Sequence, residues 1–196
     1  MPMTIAQVLT PGSLAAGPQP TLDADGGLVL RPWRDEDAPA VHAAFSDPSI
    51  QRWHARVSES EDEARGWLAE WRDAWERERR ASWAVAAAAT DEVVGRAGLR
   101  TLSLEEGQAE VAYWTLPVAR GTGVAPRAVA ALTRWAFDDI GFHRLELQHA
   151  TGNLASCRVA LKSGFAAEGT KRSALLHADG WHDSHLHARL REDVRG

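Results

Sequence analysis

The chain has 196 residues, 44% of them apolar and 25% charged, with a net charge of −5; that is the length of one domain with a sizeable core and an ordinary globular composition. The acidic balance argues against nucleic-acid binding and suits a cationic acceptor such as an amine. The single cysteine, Cys157, excludes an internal disulfide and fits a reducing compartment; no apolar run approaches the ~20 residues of a membrane helix, and the N-terminus lacks the basic patch and apolar stretch of a signal peptide, so a cytoplasmic location without membrane partners is expected.

Residues 1–27, rich in Pro, Gly, Ala and Thr without periodicity, are expected to form a flexible N-terminal extension. The alternative is that 22–30, turning at Asp25-Gly26-Gly27, adds a hairpin to a sheet. Residues 28–196 then make a single domain without repeats or linker. Leu28-Val29-Leu30 reads as a first strand, and Asp35 to Phe45 as a helix that stops before Asp47-Pro48. Ser60 with Glu63 makes a capping box for a helix running to about Arg80. Its Trp67, Leu68, Trp71 and Trp75 form one stripe, read as buried against a sheet in preference to lining an acceptor pocket.

Strands follow at Ser82–Ala88 and Val93–Leu102, joined at Thr90-Asp91-Glu92, and at Glu110–Leu116, ended by Pro117. Val124–Ile140 is a long helix with Val129, Leu132, Ala136 and Ile140 on its inner face and Gly141 as its C-terminal cap. Leu145 and Leu147 alternate with Glu146 and Gln148 as in a strand, Asn153–Ser163 is a short helix closed by Gly164, and Phe165–Leu190 reads as a hairpin turning at Asp179-Gly180. Strands and helices in this order place the chain in the α/β or α+β class.

Arg120-Gly121-Thr122-Gly123-Val124-Ala125 lies between the strand ending at Leu116 and the long helix. A glycine-rich turn that opens a helix can hold a phosphate: glycines let the backbone approach, free N–H groups at the helix start point at the anion, and Arg120 can add a charged fork. The turn lacks the Gly-Lys-Ser/Thr ending of a nucleotide P-loop.

The motif Arg-x-x-Gly-x-Ala, together with Leu30-Arg31-Pro32-Trp33, Ser46-Asp47-Pro48, Glu110-Val-Ala-Tyr113-Trp114, Asn153 with Ser156, and Gly164-Phe165 with Glu168-Gly169, resembles the GNAT N-acetyltransferases, in the branch of the ribosomal-protein alanine acetyltransferases. The resemblance spans about Leu28 to Arg191. It implies a mixed, mostly antiparallel twisted sheet of about seven strands, helices on both faces, and central strands that splay to admit acetyl-CoA. The implied reaction is acetyl transfer to a primary amine, of a peptide N-terminus or a small molecule, by direct attack in a ternary complex. A non-catalytic module that binds acyl-CoA is the alternative, and a homodimer is left open.

By the same resemblance, Arg120, Gly121, Thr122, Gly123, Val124 and Ala125 hold the pyrophosphate. The strand residues Trp114, Thr115 and Leu116 pair with the pantetheine amides through their backbone, and Asn153 orders the pantetheine arm or the helix start. Glu110 is the candidate base, and Ser156 assists departure of the thiolate. Asn153 and Ser156 also suit plain helix capping. Leu175 stands where the branch carries a glutamate, and leucine cannot take a proton. Tyr113, the one tyrosine, is read as packing, and Cys157 as structural. His182, His185 and His187 invite a metal reading, but no cysteine or carboxylate completes a recognised ligand spacing, so no metal is expected.

Overall fold

The computed structural model describes residues 6–54 and 56–194; residues 1–5 of the expected extension and 195–196 of the expected domain lie outside them. Eight strands form one sheet in the order β1-β2-β3-β4-β5-β6-β8-β7: β1 (Leu22–Asp23), β2 (Leu28–Arg31), β3 (Ala81–Ala87), β4 (Val93–Ser103), β5 (Gln108–Thr115), β6 (Arg144–Ala150), β7 (Ala166–His177) and β8 (Gly180–Leu190). Every neighbouring pair is antiparallel except β5 and β6. The fold is thus the expected mixed, mostly antiparallel sheet with helices.

The helices are α1 (Ala38–Ser46), α2 (Pro48–Gln51), α3 (Glu61–Glu76), α4 (Val124–Arg134) and α5 (Leu154–Lys162). No helix among the described residues is long and apolar enough to cross a membrane. Local chemistry sets their ends. Asp47 caps α2 by accepting from the N–H groups of Ser49 and Ile50, and Ser60 caps α3 by accepting from Glu63. Glu63 completes the expected box one residue early, on the N–H of Glu59 at 2.8 Å. Helix α4 runs on as a π-helical turn, Trp135–Ile140, and closes at Gly141 with φ 97°.

Two cores sandwich the sheet. One, under α4, gathers Leu30, Trp83, Val85, Leu99, Val111, Val129, Leu132 and Leu147. The other, under α1 and α3, gathers Trp33, Val41, Phe45, Leu68, Trp71 and Trp114. Alternation along β5 sends Val111 to the first and Trp114 to the second. The tryptophan stripe of α3 is packing, as preferred: Leu68, Trp71 and Trp75 are buried. Buried Arg31 ties the end of β2 to the start of α1 and to the β3–β4 turn, with both terminal nitrogens 2.8 Å from the Asp37 carboxylate and Nε 2.5 Å from Asp91.

Residues 6–27 depart from the flexible reading. Leu9, Leu14 and Ala24 enter the α4-side core. The N–H groups of Val8 and Leu9 donate to the carbonyls of Glu105 and Leu104, and Trp83 Nε1 donates to the Pro20 carbonyl at 2.7 Å. The Glu78 carboxylate accepts from the backbone of Gly12, Leu14 and Ala15 at 2.5, 2.6 and 3.2 Å. The hairpin alternative is the one seen, with Leu22 opposite Leu30 and Asp23 opposite Val29. Composition misleads here because isolated leucines can anchor a strap whose backbone polar groups are satisfied by a distant carboxylate. Glu78→Ala is therefore expected to lower stability to urea by roughly 1–3 kcal/mol and to open residues 6–20 to limited proteolysis. Unchanged stability and protease resistance would show that the leucines hold the strap alone.

Candidate active site

The parallel neighbours β5 and β6 pair only at Gln108 with Arg144, Ala109 with Leu145, and Glu110 with Glu146. The last rung sets two carboxylates side by side, each held by its own arginine: Arg100 to Glu110 at 2.6 Å and Arg144 to Glu146 at 3.0 Å. Like charges abreast disfavour further pairing. Beyond this rung the strands part, and residues 111–115 leave their β6-facing edge without a strand partner.

The gap opens into two adjoining cavities. The larger, about 850 Å³, runs past Trp114 and Thr115 to the turn at Arg120–Ala125 and is walled by α5 through Ser156, Arg158 and Lys162. The smaller, about 240 Å³, lies towards the β7–β8 hairpin and is walled by Arg100, Leu147, His149, Leu175 and His177. Trp53, His54, Tyr113, Asn153 and Ser156 border both.

The turn has the anticipated form. Gly121 and Gly123 take φ 78° and 82°, a region that L side chains enter at a cost, and the space beside Gly121 is open to a ligand. Among the described residues, the backbone N–H groups of Gly121, Thr122 and Gly123 have no backbone acceptor, and those of Val124 and Ala125, which open α4, are free by geometry. Arg127 closes over the far side, bonding the carbonyls of Thr122 and Gly123. Arg120 lines the groove but is engaged by protein groups: Ser49 Oγ at 2.6 Å and the Thr115 carbonyl at 3.2 Å.

At the junction of the cavities, Tyr113 Oη and Ser156 Oγ lie 2.5 Å apart. Asn153 caps α5 by accepting from the Ser156 N–H at 3.1 Å, so capping and a site role coexist. Burial pushes the Tyr113 phenol up to about 12, against the opposing pull of its bond to Ser156. It therefore keeps its proton at neutral pH, and either hydroxyl of the pair can donate to the other. The sequence alone reads Tyr113 as packing; its partner lies 43 residues away, on an element whose placement no local pattern reveals.

Glu110, the sequence candidate for the base, is not brought to this pair. It borders neither cavity, and its carboxylate is taken by Arg100. Instead Arg100 stands in the wall of the small cavity, and with Arg96 it acts on His54 in the same wall. Arg96 lies 4.6 Å over the Trp71 ring and donates to Ser82 Oγ. Burial, then the like charges of Arg80, Arg100 and Arg56, push it down to about 9, so it stays charged at neutral pH. Among the described residues neither Arg96 nor Arg80 has a carboxylate within ion-pair distance; Arg56 has Glu70 and Arg100 has Glu110. Four guanidinium groups thus share two carboxylates. Burial and the charges of Arg96 and Arg100 push His54 down to about 4.

The larger cavity suits coenzyme A in three observed respects. The free N–H groups at 121–123 suit a pyrophosphate, the unpaired edge of β5 suits amides laid alongside it, and the buried Thr115 Oγ1 and Trp114 Nε1 find no hydrogen-bond partner among the described residues. Arg158 and Lys162 add positive charge to its wall.

The comparisons agree with this geometry. The family model of the acetyltransferase (GNAT) domain matches residues 27–166. The uncharacterized N-acetyltransferase YoaA of Bacillus subtilis is 27% identical over 170 residues, covering 86% of this chain and 96% of its own. The ribosomal-protein-serine acetyltransferase of Escherichia coli is 28% identical over 100 residues, 51% of this chain and 56% of that protein. Among solved structures, RimL, a ribosomal L7/L12 alpha-N-protein acetyltransferase in complex with coenzyme A, superposes with a TM-score of 0.80 at 20% identity, covering 87% of this chain and 98% of its own. With the family model spanning most of its length, the chain belongs to the GNAT acetyltransferase family and is an N-acetyltransferase.

Proposed function

We propose that this enzyme transfers acetyl from acetyl-CoA to a primary amine by direct attack in a ternary complex, and that the acceptor carries an anionic group close to that amine. The observation behind the reading is the Tyr113–Ser156 pair at the junction of the two cavities. Acetyl-CoA supplies an activated acyl group as a thioester. Val124, Ala125 and the N–H groups of Gly121 to Gly123 hold its pyrophosphate end, and Trp114, Thr115 and Leu116 align its arm, with Asn153 fixing the first turn of α5.

Ser156 then reaches the departing sulfur, with Tyr113 behind it. A phenol near 12 cannot fully protonate a thiolate whose conjugate acid titrates near ~8.5. The pair therefore stabilises the thiolate by hydrogen bonding, and the proton that finally neutralises the sulfur is the one the amine sheds.

The arginine field takes the place of a dedicated base. An ammonium in the small cavity meets the same burial and the same Arg96 and Arg100 charges that depress His54, so the bound amine favours its reactive neutral form. That accounts for Leu175 in the cavity wall, where a carboxylate is dispensable. The unbalanced guanidinium charge selects acceptors bearing carboxylate or phosphate, and an acidic N-terminal peptide fits. The names of the ribosomal-protein relatives support a peptide acceptor. In this reading Glu110 holds Arg100 at the cavity edge.

Acceptor-dependent release of coenzyme A, measured over peptides with varied second and third residues and over small amines, tests the reading. Acidic peptides are expected to show the lowest KM, and Arg100→Met to erase that preference; lysine-rich peptides turning over best would overturn it. Ser156→Ala is expected to lower kcat roughly 10- to 100-fold, the loss of one hydrogen bond to a charged group, with acetyl-CoA affinity unchanged; wild-type turnover would remove Ser156 from the mechanism.

For the pH dependence, the neutral amine is the reactive form, so rates rise with pH. The kcat profile should turn over below the ~8 of a free α-amine, and kcat/KM at that free value. Coincident profiles would sink the field explanation. Glu110→Gln frees Arg100 of its counter-charge and should move the kcat profile to lower pH; a move to higher pH would identify Glu110 as the base.

A further inference from the structure

Three imidazoles and the one thiol converge behind the active-site helix turn. His149 on β6 is the direct register partner of His185 on β8, and His187 follows two residues on, so all three rings share one face of the sheet. Cys157, immediately after Ser156, reaches down from α5. One ligand atom from each of His149, Cys157, His185 and His187 lies within 4.8 Å of all the others.

The hydrogen bonding around these rings suits a cation. His149 Nδ1 is 2.9 Å from the Ala150 carbonyl, which can only accept, so Nδ1 carries the proton and the neutral ring turns its Nε2 lone pair inward. Metal-binding histidines are held in this way by a backbone carbonyl on the second nitrogen. His149 Nε2 meets His187 Nε2 at 3.2 Å. Two nitrogens bound to one tetrahedral zinc at 2.0–2.1 Å stand about 3.3 Å apart, and a nitrogen and a sulfur about 3.6 Å. Among the described residues nothing meets the buried His187 Nδ1 within hydrogen-bond geometry. In its Nδ1–H tautomer His187 turns a second Nε2 lone pair towards that of His149, an arrangement that a cation between them satisfies. His149 and His187 are 4% and 2% exposed, which favours the neutral, ligating form of each imidazole.

We propose that His149, Cys157, His185 and His187 bind a zinc-type divalent ion that staples α5 to β6 and β8. Three imidazoles and a thiolate exclude hard cations such as Mg²⁺ and Ca²⁺. Four protein ligands close the site, so its role is structural. On binding, the Cys157 thiol releases its proton to solvent and sulfur–metal and nitrogen–metal bonds form, with no change of oxidation state. The consequence for catalysis is positional: the ion fixes the turn of α5 that presents Ser156 to Tyr113. The sequence hid the site because His182, grouped with His185 and His187, turns instead to Asp179 at 2.6 Å, while His149 and Cys157 arrive from other elements.

Cobalt titration of the full-length protein, freed of metal by chelation and kept reduced, tests the proposal without reference to activity. One cobalt per chain is expected, with the intense visible bands of a tetrahedral site and a near-ultraviolet thiolate-to-cobalt band, both displaced by zinc. Cys157→Ser should abolish the thiolate band, His185→Ala should weaken affinity at least about 10-fold, and zinc should raise the Tm of the wild type more than that of either variant. The absence of stoichiometric uptake by the wild type, or uptake indifferent to both substitutions, overturns the proposal; the latter would send the ion to the exposed group of His177, Asp179 and His182.

Discussion

The short parallel contact between β5 and β6 is the constraint on which the rest of the molecule depends. Three rungs hold the two halves of the sheet together, and the fourth is missing. With more rungs the free edge of β5 would vanish and the phosphate turn would face a closed sheet. With fewer, β6, β8 and β7 would have only α4 and α5 to join them to the rest. The carboxylate rung of Glu110 and Glu146 stands at the boundary, and the arginines Arg100 and Arg144 make it tolerable by neutralising each side locally. Arg144 continues to Glu168 on β7, within hydrogen-bond distance through both terminal nitrogens, so the charge network that ends the zipper also fastens the far edge.

Charge in this protein is organised by place. The chain as a whole is acidic, which on its own points to a cationic ligand. The small cavity is the opposite: Arg100 is in its wall, and Arg96 behind His54 shares its field with Arg56 and Arg80. A net count averages over the surface, whereas a ligand in a recess feels the charges within a few ångströms behind low-dielectric walls. Burial, reinforced by the same charges, makes the His54 imidazole there weakly basic.

Signals of short range were readable in the sequence. The Arg120–Ala125 turn, the caps at Ser60 and Asn153, the alternation of Leu145 and Leu147, and the closing hairpin each depend on residues within a few positions of one another. What escaped depends on distant elements meeting. Tyr113 looked like packing until α5 set Ser156 against it. The N-terminal strap looked like a tail because its anchors, Leu9, Leu14 and Ala24, have no period and its polar partner, Glu78, is 63 or more positions away. Glu110 was singled out by resemblance, but register paired it with Arg100, directly opposite on β4. The GNAT identity itself was legible because that family is recognised by a backbone device, and a backbone device leaves glycines at fixed spacing.

Nine tryptophans are many for a chain of this length, and their arrangement gives the molecule a built-in optical reporter. Trp75, Trp83 and Trp135 pack ring to ring at 4.9–6.0 Å in one core; Trp33, Trp71 and Trp114 pack in the other. Trp53 stands apart from both groups, half-buried under Arg52, and borders each cavity. Emission from Trp75, Trp83 and Trp135 follows the integrity of the core under α4, while Trp53, with Trp114 on the wall of the larger cavity, follows what enters the gap between the strands. Folding and occupancy are thereby written into the same intrinsic fluorescence by different rings, without any label.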